Sequence, residues 1–218
     1  MKKIIVMIGP PGSGKGTQAK KIAAKYGYAH VSTGDLLRSL AMQPHLTAEE
    51  QAAVEKIKSG ELVSDTLIYR LIFDKIEKEV VAGQGVVLDG VPRNLEQAEK
   101  LQEFFTERNF VFQLVVLEIS LTDEESLARL SGRRVCSTCG EIIPATALVS
   151  VCPKCGGELV VRADDDMTVI TQRIEKQGNK ALAPIINFYK ERALLVSIDG
   201  SQSIDVVEKE IDTVVALS

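Results

Sequence analysis

A chain of 218 residues, 45% of them hydrophobic, can bury one large core or a core with small inserted lobes, so a single globular protein is expected. A formal net charge of -4 and a pI near 5.4 leave no global basic excess for a nucleic-acid backbone, and local basic clusters must do any anion binding. No apolar run approaches the roughly 18 residues needed to cross a bilayer, and residues 1–8 lead straight into a strand without a signal-peptide cleavage pattern. The expectation is a cytoplasmic protein without membrane or nucleic-acid partners.

Residues 4–8, a run of mostly branched apolar side chains too short for a helix, read as a strand buried on both faces. The run breaks into a loop in which Gly9, Gly12, Gly14 and Gly16 surround Pro10, Pro11, Ser13, Lys15 and Thr17. A helix over 18–25 follows. Glycine accepts unusual dihedrals and leaves room for close approach, so successive backbone N–H groups can face a phosphate, aided by the positive end of the helix. Gly9-x4-Gly14-Lys15 therefore matches the phosphate-binding loop in its required strand-loop-helix context. The usual loop has Ser or Thr directly after the lysine; here Gly16 intervenes and the hydroxyl comes at Thr17.

Residues 28–31 form a short strand, after which Ser32 or Thr33 is placed to cap a helix beginning near Asp35. Helices are expected over 48–58, stopped by Gly60, and over 65–80, with Leu67, Leu71 and Ile72 on the apolar face. A buried strand over 85–88 ends in Asp89-Gly90, and then come a helix over 94–107, a strand over 112–119 and a helix over 122–130. A cysteine-bearing insert spans 132–165, followed by helices over 166–177 and 184–192, a strand over 195–198 and a closing helix over 204–217. Such alternation implies a three-layer α/β fold, a parallel sheet with helices on both faces, whose ligands bind beyond the carboxyl ends of the strands. That rule gathers residues 9–17, 32–38 and 89–93.

Asp89 is placed like a carboxylate that holds Mg²⁺ through water, or else it is a turn aspartate before glycine. Arg38, Arg93, Arg129, Arg133, Arg162 and Arg173 fall at strand ends or at the edges of the insert. Singly each reads as a surface residue, but as a set flanking a phosphate loop they point to two phosphorylated ligands, because guanidiniums can stabilise a phosphoryl group in flight. Cys136, Cys139, Cys152 and Cys155, the chain's four cysteines, lie in the insert as two C-x2-C pairs, each followed by glycine. Four thiolates at that spacing suit tetrahedral zinc; redox chemistry and metal-free thiols are the alternatives. His30 and His45 belong to no constellation and read as structural or surface residues.

The GKGT loop with its two prolines, STGDLLR at 32–38, DGVPR at 89–93 with Gln97 after it, GRR at 132–134, and RADD at 162–165 with Arg173 are together similar to the motifs of adenylate kinases. The similarity covers essentially the whole chain. It implies a P-loop NTP hydrolase-like fold with two small mobile inserts: a core over 1–31, 64–131 and 166–218, an AMP-binding insert over 32–63 and a zinc-bearing lid over 132–165. It also implies transfer of the terminal phosphoryl group of MgATP to AMP, giving two ADP, by a monomer. In this resemblance Gly12, Ser13, Gly14, Lys15, Gly16 and Thr17 cradle the donor. Arg129, Arg133, Ile142 and Ile143 also meet ATP, with Gln202 near its adenine. Thr33, Arg38, Glu61, Leu62, Val63, Gly90, Val91, Pro92, Arg93 and Gln97 bind AMP, and Arg162 and Arg173 bridge the phosphates of both ligands. Lys15, Arg38, Arg93, Arg133, Arg162 and Arg173 form the implied catalytic set, Asp89 holds Mg²⁺ through water, and Asp164 and Asp165 fall at the lid hinge. Zinc stabilises the lid without touching the reaction.

Three features depart from the family. Val91 stands for the usual phenylalanine, Ala163 occupies an often basic position, and the span between cysteine pairs is short, with Ile142, Ile143 and Pro144 in place of a Tyr-His pair. Two other readings compete. One is a kinase for another monophosphate, which Thr33 and Gln97 oppose; the other is a nucleotide-dependent regulatory module contacting a partner through a zinc ribbon, which the scarcity of Lys and Arg between the cysteines opposes.

Overall fold

A computed structural model describes residues 3–40, 42, 44–58, 61, 63–144, 146–162 and 165–216, with the backbone alone for 38–40, 57 and 58. Five strands, β1 (Ile4–Ile8), β2 (Ala29–Ser32), β3 (Val86–Asp89), β4 (Leu114–Ser120) and β8 (Leu195–Asp199), form a parallel sheet in the order β2-β3-β1-β4-β8. Between β4 and β8 in the chain lie β5 (Arg134–Cys136), β6 (Ile142–Ile143) and β7 (Leu159–Val160), a separate antiparallel sheet in the insert.

The pleat of β1 divides the core. Ile4, Val6 and Ile8 point to one layer, where they pack with Leu67, Ile72 and Ile76 of α4 (Asp65–Val81), Leu101 and Phe105 of α5 (Leu95–Glu107), and Ile185 and Tyr189 of α8 (Asn179–Lys190). Ile5 and Met7 point to the other, against Ala19 and Ile22 of α1 (Lys15–Tyr26) and Val207, Ile211 and Val215 of α9 (Ile204–Ala216). The strand is buried along its whole length, as its continuous apolar run requires. β1 leads into α1 on one face and its neighbour β3 into α5 on the other, so the crevice beyond their carboxyl ends is the switch point at which open α/β sheets bind ligands.

Caps follow local chemistry. Ser32 Oγ accepts from Asp35 N at 3.2 Å, which starts α2 (Thr33–Leu40). Thr122 and Glu125 make a reciprocal capping box on α6 (Asp123–Ser131), and Asp166 accepts from Thr168 N at the start of α7 (Met167–Gln177). The remaining helix, α3, covers Ala48–Lys58 as its pattern predicts.

The structure moves several boundaries. α1 begins at Lys15 rather than 18, because Gly14 is its N-cap and Gly16 already lies within the helix. β4 begins at Leu114 because Val111–Gln113 forms a 3-10 turn that leaves Phe112 exposed. α8 starts at Asn179, five residues before Pro184, whose missing N–H removes only the bond to the residue 180 carbonyl while buried Leu182, Ile185 and Tyr189 anchor the helix. On α4, Leu67 and Ile72 are buried and Leu71 only partly so. Gly60 and Leu217 lie outside the described residues.

Candidate active site

A cavity of about 630 Å³ opens at the carboxyl end of β1. Gly14, at φ 97°, N-caps α1 in a left-handed conformation that turns the loop directly into the helix. Ser126 Oγ of α6 donates to the Pro11 carbonyl and ties the loop to its neighbour. Lys15 Nζ donates to the loop's own carbonyls, Gly9 O at 2.6 Å and Pro10 O at 2.8 Å, and lies 3.3 Å from Ser13 Oγ. Burial pushes the Lys15 ammonium down to about 8; Asp89 opposes that shift, while Arg93, Arg173 and Arg133 reinforce it.

Asp89 closes β3 beneath the loop. A Cβ added at Gly16, where other phosphate loops place Ser or Thr, would stand 3.1 Å from Asp89 Oδ2, a tight contact. His30 Nε2 lies 3.8 Å from the same oxygen, an electrostatic neighbour rather than a hydrogen-bond partner. Burial works to raise the Asp89 carboxyl, but His30, Lys15 and Arg93 outweigh it and hold it below its ordinary value. His30 lines the cavity, which corrects its reading as a structural or surface residue.

Three arginines face this pair from separate elements. Arg93 donates from Nε to Gly90 O at 2.7 Å and from Nη1 to Gln177 Oε1 at 3.1 Å. Arg133 grips Asp165 through two N–H groups at 2.7 and 2.6 Å, and Arg173 reaches the same carboxylate at 3.2 Å. The Asp165 side chain is fully buried between them. A residue expected at the lid hinge is thus also the carboxylate that joins the stem of the insert to α7. The ion pairs were not legible in the sequence, because an aspartate in an acidic run carries no signal of its partners.

Of the other expected residues, Gly12, Ser13, Gly14, Gly16, Thr17, Gly90, Pro92, Arg129, Arg162 and Gln202 line the cavity. Arg129 Nη2 donates to Ser201 O at 3.3 Å, and Gln202 Nε2 to Asp199 Oδ2 at 2.9 Å, so the turn after β8 is drawn toward α6. Ile142 lines the cavity with Pro144 and Thr146, whereas Ile143 is buried inside the insert and does not reach the lining. Thr33 and Gln97 stand behind the wall: Thr33 Oγ1 donates to Gly90 O at 3.0 Å, and Gln97 accepts from Arg93 N at 2.7 Å while donating to Asp65. Val91 is buried and Val63 packs on the core, while Glu61 lies 3.9 Å from Lys176 Nζ. Leu62, Asp164 and the Arg38 side chain lie outside the described residues.

In the insert, the ligand atoms of Cys136, Cys139, Cys152 and Cys155 all lie within 4.8 Å of one another. Sulfur atoms pair at 3.4 Å (Cys136 with Cys155) and 3.6 Å (Cys139 with Cys152), close to the ~3.8 Å edge of a tetrahedron with metal–sulfur bonds of about 2.3 Å. The residues fit a four-coordinate zinc.

The family model described as adenylate kinase matches residues 7–194. The adenylate kinase of Magnetococcus marinus is 40% identical over 212 residues, covering 95% of this chain and 97% of that protein. That of Methanothrix thermoacetophila is 40% identical over 216 residues (97% and 98%), and that of Caldanaerobacter subterraneus subsp. tengcongensis is 39% identical over 211 (95% and 93%). With a phosphate-binding loop, an opposing arginine set and matches along nearly its full length, the chain belongs to the adenylate kinase family.

Proposed function

We propose that the cavity transfers the terminal phosphoryl group of MgATP reversibly to AMP, giving two ADP. The observation that carries this reading is the confrontation of Lys15 with Arg93, Arg133 and Arg173 across one cavity, three of the four cations arriving from outside the loop. Phosphoryl transfer needs little covalent help from the protein; it needs cations fixed where charge spreads over the migrating group. In this reading residues 12–17 hold the donor phosphates and Lys15 leaves the loop carbonyls for them. Arg129, Ile142 and Gln202 flank the donor nucleoside, while Thr33, Arg38, residues 61–63, residues 90–93 and Gln97 build the acceptor site. Arg133, Arg162 and Arg173 span the two. Magnesium, arriving with ATP, would neutralise phosphate charge, and Asp89 is the carboxylate placed to hold its water shell. The divisions expected from the resemblance fit this assignment: an acceptor insert over 32–63 and a lid over 132–165, the latter stabilised by zinc on the four cysteines. Among the described residues no helix is long and apolar enough to cross a membrane; a cytoplasmic monomer without nucleic-acid partners completes the proposal.

The test is coupled detection of ADP from ATP with AMP, CMP, UMP and GMP offered in turn. AMP should be the preferred acceptor by a wide margin, and a better rate with CMP or UMP would sink the adenylate assignment.

Lys15 also sets a pH dependence. Nucleotide phosphates bind its protonated form and so raise its pKa in the complex above the free value of about 8. Affinity is therefore full below pH 8 and is lost as pH rises through it, by up to about tenfold per unit until the pKa of the complex is reached. Titrations of MgATP from pH 7 to 9.5 should show this fall, with kcat holding to a higher pH than kcat/KM. A flat affinity over that range would remove Lys15 from the phosphate site.

A further inference from the structure

We infer that Gln177 is a positioning residue for Arg93, orienting its guanidinium toward the acceptor's phosphate; the inference rests on the reading of Arg93 as an AMP ligand. Arg93 stands just past the end of β3 on a loop, and a long flexible side chain there has no fixed direction of its own. Two bonds give it one. Nε donates to Gly90 O at 2.7 Å within the same turn, and Nη1 donates to Gln177 Oε1 at 3.1 Å, on an element 84 residues away in sequence. Gln177 is the last residue of α7, four residues after Arg173, so the two side chains occupy one face of the helix, and both line the cavity. Arg173 is bound through Asp165 to Arg133. One helix face thus ties Arg93 to the arginines that span the phosphates.

The chemistry of the partner matters. Arg133 and Arg173 share a carboxylate, which opposes their charge, whereas the amide oxygen of Gln177 directs the Arg93 guanidinium without neutralising it. A glutamate at 177 would pair with Arg93 as an ion and compete with a phosphate for it. An apolar side chain would remove the acceptor that directs Nη1.

Q177M keeps length and volume but removes the acceptor, and Q177A is a second variant should methionine pack poorly. Calorimetric titration of AMP alone should weaken about tenfold in both variants, with MgATP alone changed less than about twofold and the thermal midpoint unmoved. In turnover the KM for AMP should rise more than kcat falls. Unchanged AMP affinity in either folded variant, or equal weakening toward AMP and MgATP, would overturn the positioning role. Failure of the wild type to bind AMP would remove the acceptor-site reading itself, a distinguishable outcome.

Discussion

Lys15→Ala is expected to lower kcat by about 10² to 10³-fold or more at saturating nucleotide, with the thermal unfolding midpoint essentially unchanged. The ammonium emerges from the first residue of α1, where the left-handed Gly14 turns the loop, and it can reach a phosphate because its partners, two backbone carbonyls and the Ser13 hydroxyl, are uncharged. Its loss leaves the arginines in place, so binding of the two nucleotides should fall less than turnover. Stability should not suffer. Burial has already pushed the lysine down to about 8, which means that its charge is less comfortable in the folded site than in water. Lys15→Arg is not a rescue, since a planar fork cannot take the place of a point charge among those carbonyls. A purified Lys15→Ala protein with near-normal turnover would overturn the assignment of the loop.

How much of this was readable in the chain depends on whether a feature is set by local chemistry or by distant partners. The run at Ile4–Ile8 and the glycine spacing after it are local, so β1, the loop and α1 follow from composition and dihedral preference with only a shift of the helix start. The alternation of elements implied a parallel sheet, but not its order, which puts the carboxyl ends of β1 and β3 side by side. Asp165 is different: its partners Arg133 and Arg173 lie on opposite sides of it in sequence, and nothing in the RADD run distinguishes the buried carboxylate from its acidic neighbours. His30 alternates along β2 without a motif, yet its strand ends beside β3 and brings it to Asp89. Even the glycine at 16, legible as a departure, sits close against a carboxylate 73 positions away. Packing rather than propensity decides such positions.

The second large effect lies in the insert and concerns stability rather than rate. Between 134 and 161 the buried residues among those described are Cys136, Ile143 and Cys152, while Leu148, Val151 and Val161 are exposed. Three short strands with so little apolar burial cannot offset the entropy of ordering the segment. A cross-link must supply the difference, and four sulfur-bearing side chains within 4.8 Å supply the ligands for one. In isolated zinc-finger peptides the metal contributes on the order of 10 kcal/mol to folding. Less should appear here, because the Arg133–Asp165–Arg173 cluster already clamps the ends of the insert. The expected results are one tightly bound zinc per chain and a thermal midpoint several degrees lower for Cys152→Ser, with most activity retained at low temperature because the phosphate-binding groups lie outside the cysteine knuckles. Metal analysis of protein purified without chelator that finds no stoichiometric zinc would sink the structural claim. Immediate loss of turnover on chelation, with protease resistance of the insert unchanged, would instead place the metal in the chemistry.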